Sequence, residues 1–199
     1  MPKQFTNIVR AKRVPAETAA ALGLQEIKGE NRLEVRNEKN KTADAPQFAA
    51  RQRRAALTLL EIARQRCDAS LTGFELMSDF CLQLVERHFP AQRIPFTSRH
   101  PHYVLMELSD SESEAHAMTM LEAVSEAGIT QGLIDDAVIA STLSQSQQLW
   151  ALREHISMAQ AAEGLNIKHD ISLPVSRIAE FIAVTDALLQ RDFPGCRMV

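Results

Sequence analysis

A chain of 199 residues with 45% hydrophobic and 24% charged side chains has enough apolar material for a buried core and enough charge for a wet surface. No run approaches the roughly 18 uncharged apolar residues of a membrane span, and the start Met1-Pro2-Lys3-Gln4-Phe5 lacks the apolar core of a secretory signal, so a cytoplasmic protein with no membrane span is expected. Cys67, Cys81 and Cys196 form no Cys-x-x-Cys pair, which argues against a disulfide framework or a cysteine zinc site.

The net charge of -3 conceals an asymmetry: through Arg66 there are 14 Lys and Arg against 7 Asp and Glu, and in the remainder 8 against 18. The shift divides the chain into residues 1–54, a basic, polar segment of unknown origin, and residues 55–199, an ordered domain. The first segment can bury little apolar surface and is expected to be loosely held. Its cations could neutralise phosphates, but acids are mixed among them without interleaved aromatic residues, so no nucleic-acid partner is expected.

In the second segment, Ala56, Leu59, Leu60 and Ala63 recur at helical spacing and predict a helix over 52–67. Residues 72–77 read as a strand, and Ser78 as the cap of a helix carrying Phe80, Leu84 and Val85 that ends before Pro90. The His100-Pro101-His102 stretch reads as a polar loop rather than a metal site, which needs further ligands. Residues 103–108 form the clearest strand. Ser109-Asp110-Ser111 opens a helix through Met118, Leu121 and Val124, with Gly128 as its stop.

A strand over 134–139 follows, in which adjacent Asp135 and Asp136 point apart and are expected at the surface. A helix over 145–163 ends at Gly164. Residues 168–173 then read as a strand closed by Pro174, followed by a helix through Phe181, Val184 and Leu188, while Arg197-Met198-Val199 reads as the start of one more strand. This alternation predicts an α+β sandwich with helices on one face of a sheet; periodicity alone leaves a small doubly wound fold open.

Four segments carry a more specific signal: Leu71-Thr72-Gly73-Phe74-Glu75-Leu76-Met77, Tyr103-Val104-Leu105-Met106-Glu107-Leu108-Ser109, Leu149-Trp150-Ala151-Leu152-Arg153-Glu154 and Ile167-Lys168-His169-Asp170-Ile171-Ser172-Leu173-Pro174-Val175. In this order and spacing they resemble the C-terminal substrate domain of FAD-linked oxidases of the D-lactate, glycolate and D-2-hydroxyglutarate dehydrogenase type, within the vanillyl-alcohol oxidase superfamily. The resemblance implies a ferredoxin-like sandwich on a mainly antiparallel sheet, incomplete at its C-terminus. It implies a partial oxidoreductase that moves hydride from a D-2-hydroxy acid to FAD, the flavin being held mainly by a domain not present here.

The same resemblance assigns substrate binding to Arg153, Ser157 and Lys168. Arg153 matches the position whose guanidinium grips the substrate carboxylate, a role suited to a permanently charged planar fork. Ser157, at i+4, rises from the same helix face, and Lys168, the only lysine after Lys41, falls at the matching distance to add a second cation. Without the motif, an Arg followed by Glu154 on a helix reads as a solvated pair. Strand alternation sends His169 to the face opposite Lys168. Leu149, Trp150, Leu152 and Ile156 read as core rather than flavin contacts.

The family's divalent-metal ligands lie in a later His-x-x-Asp-Gly-Asn-x-His motif that this sequence does not contain, so no residue is assigned to metal. The chain alone is then expected to be inactive. An exposed sheet edge would favour a homo-oligomer. The alternative is a non-catalytic small-molecule or protein-binding remnant of the same fold.

Overall fold

The computed structural model describes residues 51–199 in full, and before them the backbone of residues 3–10, 25–26 and 45–50. Strands β1 (Lys3–Arg10), β2 (Gln25–Glu26), β3 (Leu71–Ser78), β4 (His102–Asp110) and β5 (Asp136–Ile139) form one sheet in the order β2-β5-β1-β4-β3. Every pairing is antiparallel. The helices are α1 (Ala45–Cys67), α2 (Asp79–His88), α3 (Glu114–Thr130), α4 (Leu143–Glu163) and α5 (Val175–Asp192).

Alternation along β4 divides the core in two. Val104, Met106 and Leu108 point to one face, where they meet Leu59 and Ala63 of α1 and Leu121 and Val124 of α3. Tyr103 and Leu105 point to the other, where they meet Leu82 and Val85 of α2 and Leu149 and Leu152 of α4. A helical layer covers one face as the ferredoxin-like reading expects, and a second pair of helices lies on the other. Full burial of one such leucine contributes roughly 1.5–3 kcal/mol.

Local signals set several boundaries. The Ser78 hydroxyl accepts from the Cys81 amide at 3.3 Å and starts α2 as predicted. β4 continues to Asp110, and Ser113 caps α3, its hydroxyl accepting from the His116 amide at 3.1 Å. Gly128 lies within α3 rather than ending it. A Cβ there would sit 2.9 Å from Ile134, so the glycine permits close packing, and the chain turns at Gly132, whose φ of 66° suits glycine.

Other expectations are corrected. Residues 168–173 form no strand: with no neighbouring strand to take up their backbone groups, they run irregularly between α4 and α5, and 197–199 are likewise unpaired with the sheet. Asp136 is buried, 6% exposed, with its carboxylate accepting from the Ala137 amide at 2.8 Å, whereas Asp135 is exposed. Within the basic 1–54 segment, residues 3–10 run as β1 between β4 and β5, and α1 begins at Ala45 rather than at residue 52. Gln25–Glu26 of that segment form β2, and its other residues before Ala45 lie outside the described ones.

Candidate functional site

Helix α4 carries two of the three candidate residues, and its placement is heavily specified. Its start is a capping box: the Thr142 hydroxyl accepts from the Gln145 amide at 3.2 Å, and the Gln145 side chain accepts from the Thr142 amide at 3.1 Å. Such a cap is worth about 1 kcal/mol. Leu149, Leu152 and Ala159 are buried in the core that the sheet and α2 share, and His155 stacks on Phe89 with ring centroids 4.3 Å apart. At the far end, Glu163 accepts from Arg87 and lies 2.7 Å from His88 Nε2. Those partners, His88 first, hold its carboxyl below the usual range.

On the side of α4 facing β3, the spacing i, i+3, i+7 brings Trp150, Arg153 and Ser157 into one stripe. Trp150 Nε1 donates to Glu107 Oε1 at 3.0 Å, and Thr72 Oγ1 donates to Glu107 Oε2 at 3.3 Å, so this buried carboxylate is hydrogen-bonded from two elements. Gly73 makes the approach possible: a Cβ there would lie 3.1 Å from Glu107 Cβ and 3.4 Å from the Trp150 ring. Trp150 thus packs on the core as expected and also supplies a polar anchor.

Three residues on, Arg153 Nε lies 3.4 Å from Glu75 Oε2 of β3. The partner of Arg153 is therefore a sheet residue 78 positions away, not its neighbour Glu154. Ser157 is exposed one turn beyond. Lys168 is also exposed, in the irregular stretch after Gly164. The structure places Arg153 and Ser157 together on one helix face and leaves Lys168 on a separate segment.

Glu75, Glu107 and Thr72 were not singled out from the sequence. The available signal was an acid at an inward position of each of two otherwise apolar strands, Glu75 beside Gly73 and Met77, Glu107 beside Leu105. In the His100-Pro101-His102 stretch, His102 Nδ1 lies 3.1 Å from Gln52 Oε1, and the His100 amide donates to the Tyr103 hydroxyl at 3.0 Å. Among the described residues, no group of three or more His, Cys, Asp or Glu side chains converges to hold a metal ion, and no helix is long and apolar enough to cross a membrane.

The family model for FAD linked oxidases, C-terminal domain, matches residues 47–198. Rat mitochondrial D-2-hydroxyglutarate dehydrogenase is 39% identical over 116 residues, 56% of this chain and 20% of the rat protein. The D-2-hydroxyglutarate dehydrogenase of Xanthomonas citri pv. viticola is 37% identical over 136 residues, 67% of this chain and 27% of that protein. The mitochondrial enzyme of the same name from Arabidopsis thaliana is 32% identical over 124 residues, 62% and 22% respectively. The matched region thus covers between a fifth and about a quarter of these relatives.

Among the described residues the glycines at 73, 128, 132, 164 and 195 stand singly, and none forms a glycine-rich loop opening a helix onto phosphates. What the exposed stripe of α4 offers is one guanidinium, Arg153, ion-paired to Glu75, with the Ser157 hydroxyl one turn beyond. With the family match spanning most of its length, the chain belongs to the C-terminal domain family of the FAD-linked oxidases.

Proposed function

We propose that this chain supplies part of the substrate-binding domain of an FAD-dependent D-2-hydroxy acid dehydrogenase, with D-2-hydroxyglutarate as the substrate to test first. The reading is supported above all by Arg153 and Ser157 standing one turn apart on the exposed stripe of α4, within a chain whose relatives are D-2-hydroxyglutarate dehydrogenases. FAD, when bound by the complete enzyme, supplies the hydride acceptor. The role of this chain is to bind and orient: Arg153 takes the substrate carboxylate on its fork, Ser157 donates a hydrogen bond from the next turn, and Lys168 adds positive charge.

The test is titration of D-2-hydroxyglutarate into the 199-residue chain, followed by calorimetry and by nuclear magnetic resonance. Arg153→Ala should weaken binding by at least about tenfold, the loss of a charge-assisted bidentate contact, and Lys168→Ala by less. Unchanged affinity in Arg153→Ala overturns the assignment.

A further inference from the structure

We infer that Glu75 is a positioning residue for Arg153, holding the guanidinium by its Nε edge so that its two Nη groups are presented to an incoming carboxylate. The inference rests on the reading of Arg153 as the carboxylate-binding residue.

Three observations converge on it. First, α4 is fixed over β3 one step away: Trp150 rests against Gly73 and donates to Glu107, so the helix has little freedom to roll. Second, the strand step from Gly73 to Glu75 runs alongside the helix step from Trp150 to Arg153, because alternate strand residues share a face and residues three apart share a helix face. Fixing Trp150 therefore sets the base of Arg153 above Glu75. Third, Glu75 Oε2 lies 3.4 Å from Arg153 Nε, with both side chains partly open to solvent, 36% and 44% exposed.

An arginine has a long, freely rotating stem and loses most of that freedom when it clamps a ligand. A carboxylate beside Nε restricts the stem beforehand while approaching the guanidinium from its side rather than from its end. The opposite effect, competition between Glu75 and the substrate anion for the guanidinium, makes a different prediction. Partial exposure screens both the Glu75–Arg153 attraction and the repulsion between the carboxylates, and what screening leaves is the restriction of the arginine stem.

Two variants of the full chain decide it. Glu75→Gln keeps an acceptor oxygen but removes the charge, and Glu75→Ala removes both. The Arg153 Nε–H resonance, identified by its loss in Arg153→Lys, should move in Glu75→Ala toward the position of a free arginine. D-2-hydroxyglutarate should bind Glu75→Ala about tenfold more weakly, while Glu75→Gln stays within about threefold of the unmodified chain. Glu75→Ala binding as well as the unmodified chain makes Glu75 a bystander, and tighter binding makes it a competitor; either result overturns the inference.

Failure here is separable from failure of the substrate reading. If Arg153→Ala loses binding and Glu75→Ala does not, only the positioning role falls. If D-2-hydroxyglutarate does not bind the unmodified chain, the substrate reading falls, and an Nε–H resonance unmoved by Glu75→Ala overturns the pairing independently.

Discussion

Residues 51–164 and residues 165–199 are both rich in apolar side chains, yet the structure treats them in opposite ways. In the first stretch Leu59, Leu82, Leu105, Leu121 and Leu152 are fully enclosed between sheet and helices. In the second no residue is buried: Leu165, Ile167, Ile171 and Phe193 are 110%, 85%, 60% and 61% exposed. Helix α5 has a proper apolar periodicity, and it packs on α1, but Val184 and Leu188 remain open. A period of 3.6 reports that a helix has an apolar face; a second layer must still meet that face before it stabilises anything.

The largest expected effect tests this contrast directly. Leu152→Ala removes a fully enclosed side chain and should lower unfolding stability by about 2–5 kcal/mol, measured from urea denaturation. Leu188→Ala, at 44% exposed in α5, should change it by about 0.5 kcal/mol or less. Equal losses would show that α5 is packed as firmly as α4, and the contrast would collapse.

A smaller effect sharpens the account of what fixes α4. Trp150→Phe keeps most of the ring but deletes the indole N–H, leaving buried Glu107, among the described residues, with the Thr72 hydroxyl as its side-chain donor. The expected cost is about 1–2 kcal/mol, the penalty for a buried polar group that loses a partner. The same denaturation measurement checks it, with Glu107→Gln as a second variant. If both are silent, the polar anchor contributes nothing beyond ring packing.

These contrasts also explain which parts could be read from the sequence. The Ser78 cap, the end of α2 before Pro90 and the centres of β3 and β4 follow from side chains within a few residues of the feature and were legible, whereas β4 runs on to Asp110, past the expected helix start. Residues 168–173 have the alternation of a strand, with Ile167, Ile171 and Leu173 on one side, but a strand also requires an unpaired neighbour, which alternation does not encode. The converse holds for β1, whose position between β4 and β5 depends on pairing with residues about a hundred positions away.

The candidate site divides along the same line. Helical phase alone put Arg153 and Ser157 on one face. Glu75 and Glu107 escaped notice because an acid in a strand ordinarily faces water, and only the docking of α4 turns these two into partners of Arg153 and Trp150. Lys168 was matched by family spacing, which fixes a position in sequence and not an approach in space.

The smallest expected effect reads the packed stretch through pH. His102 opens β4 with Nδ1 3.1 Å from Gln52 Oε1, and burial, reinforced by the nearby Arg53 cation, pushes its imidazole pKa down. The folded state therefore binds a proton less readily than the unfolded chain, where histidine titrates near about 6.5. Its contribution is fully present above that unfolded value and is lost as pH falls toward the folded one. The urea midpoint should decline between about pH 7 and pH 5, and His102→Gln, which retains a donor for Gln52, should remove that part of the slope. Asp110 acts lower: the Glu112 amide and then His116 hold its carboxyl below the usual range, so its contribution disappears only in stronger acid. If His102→Gln and the unmodified chain decline in parallel, the slope comes from other groups, and enclosure of the β4 start is looser than that of the leucines behind it.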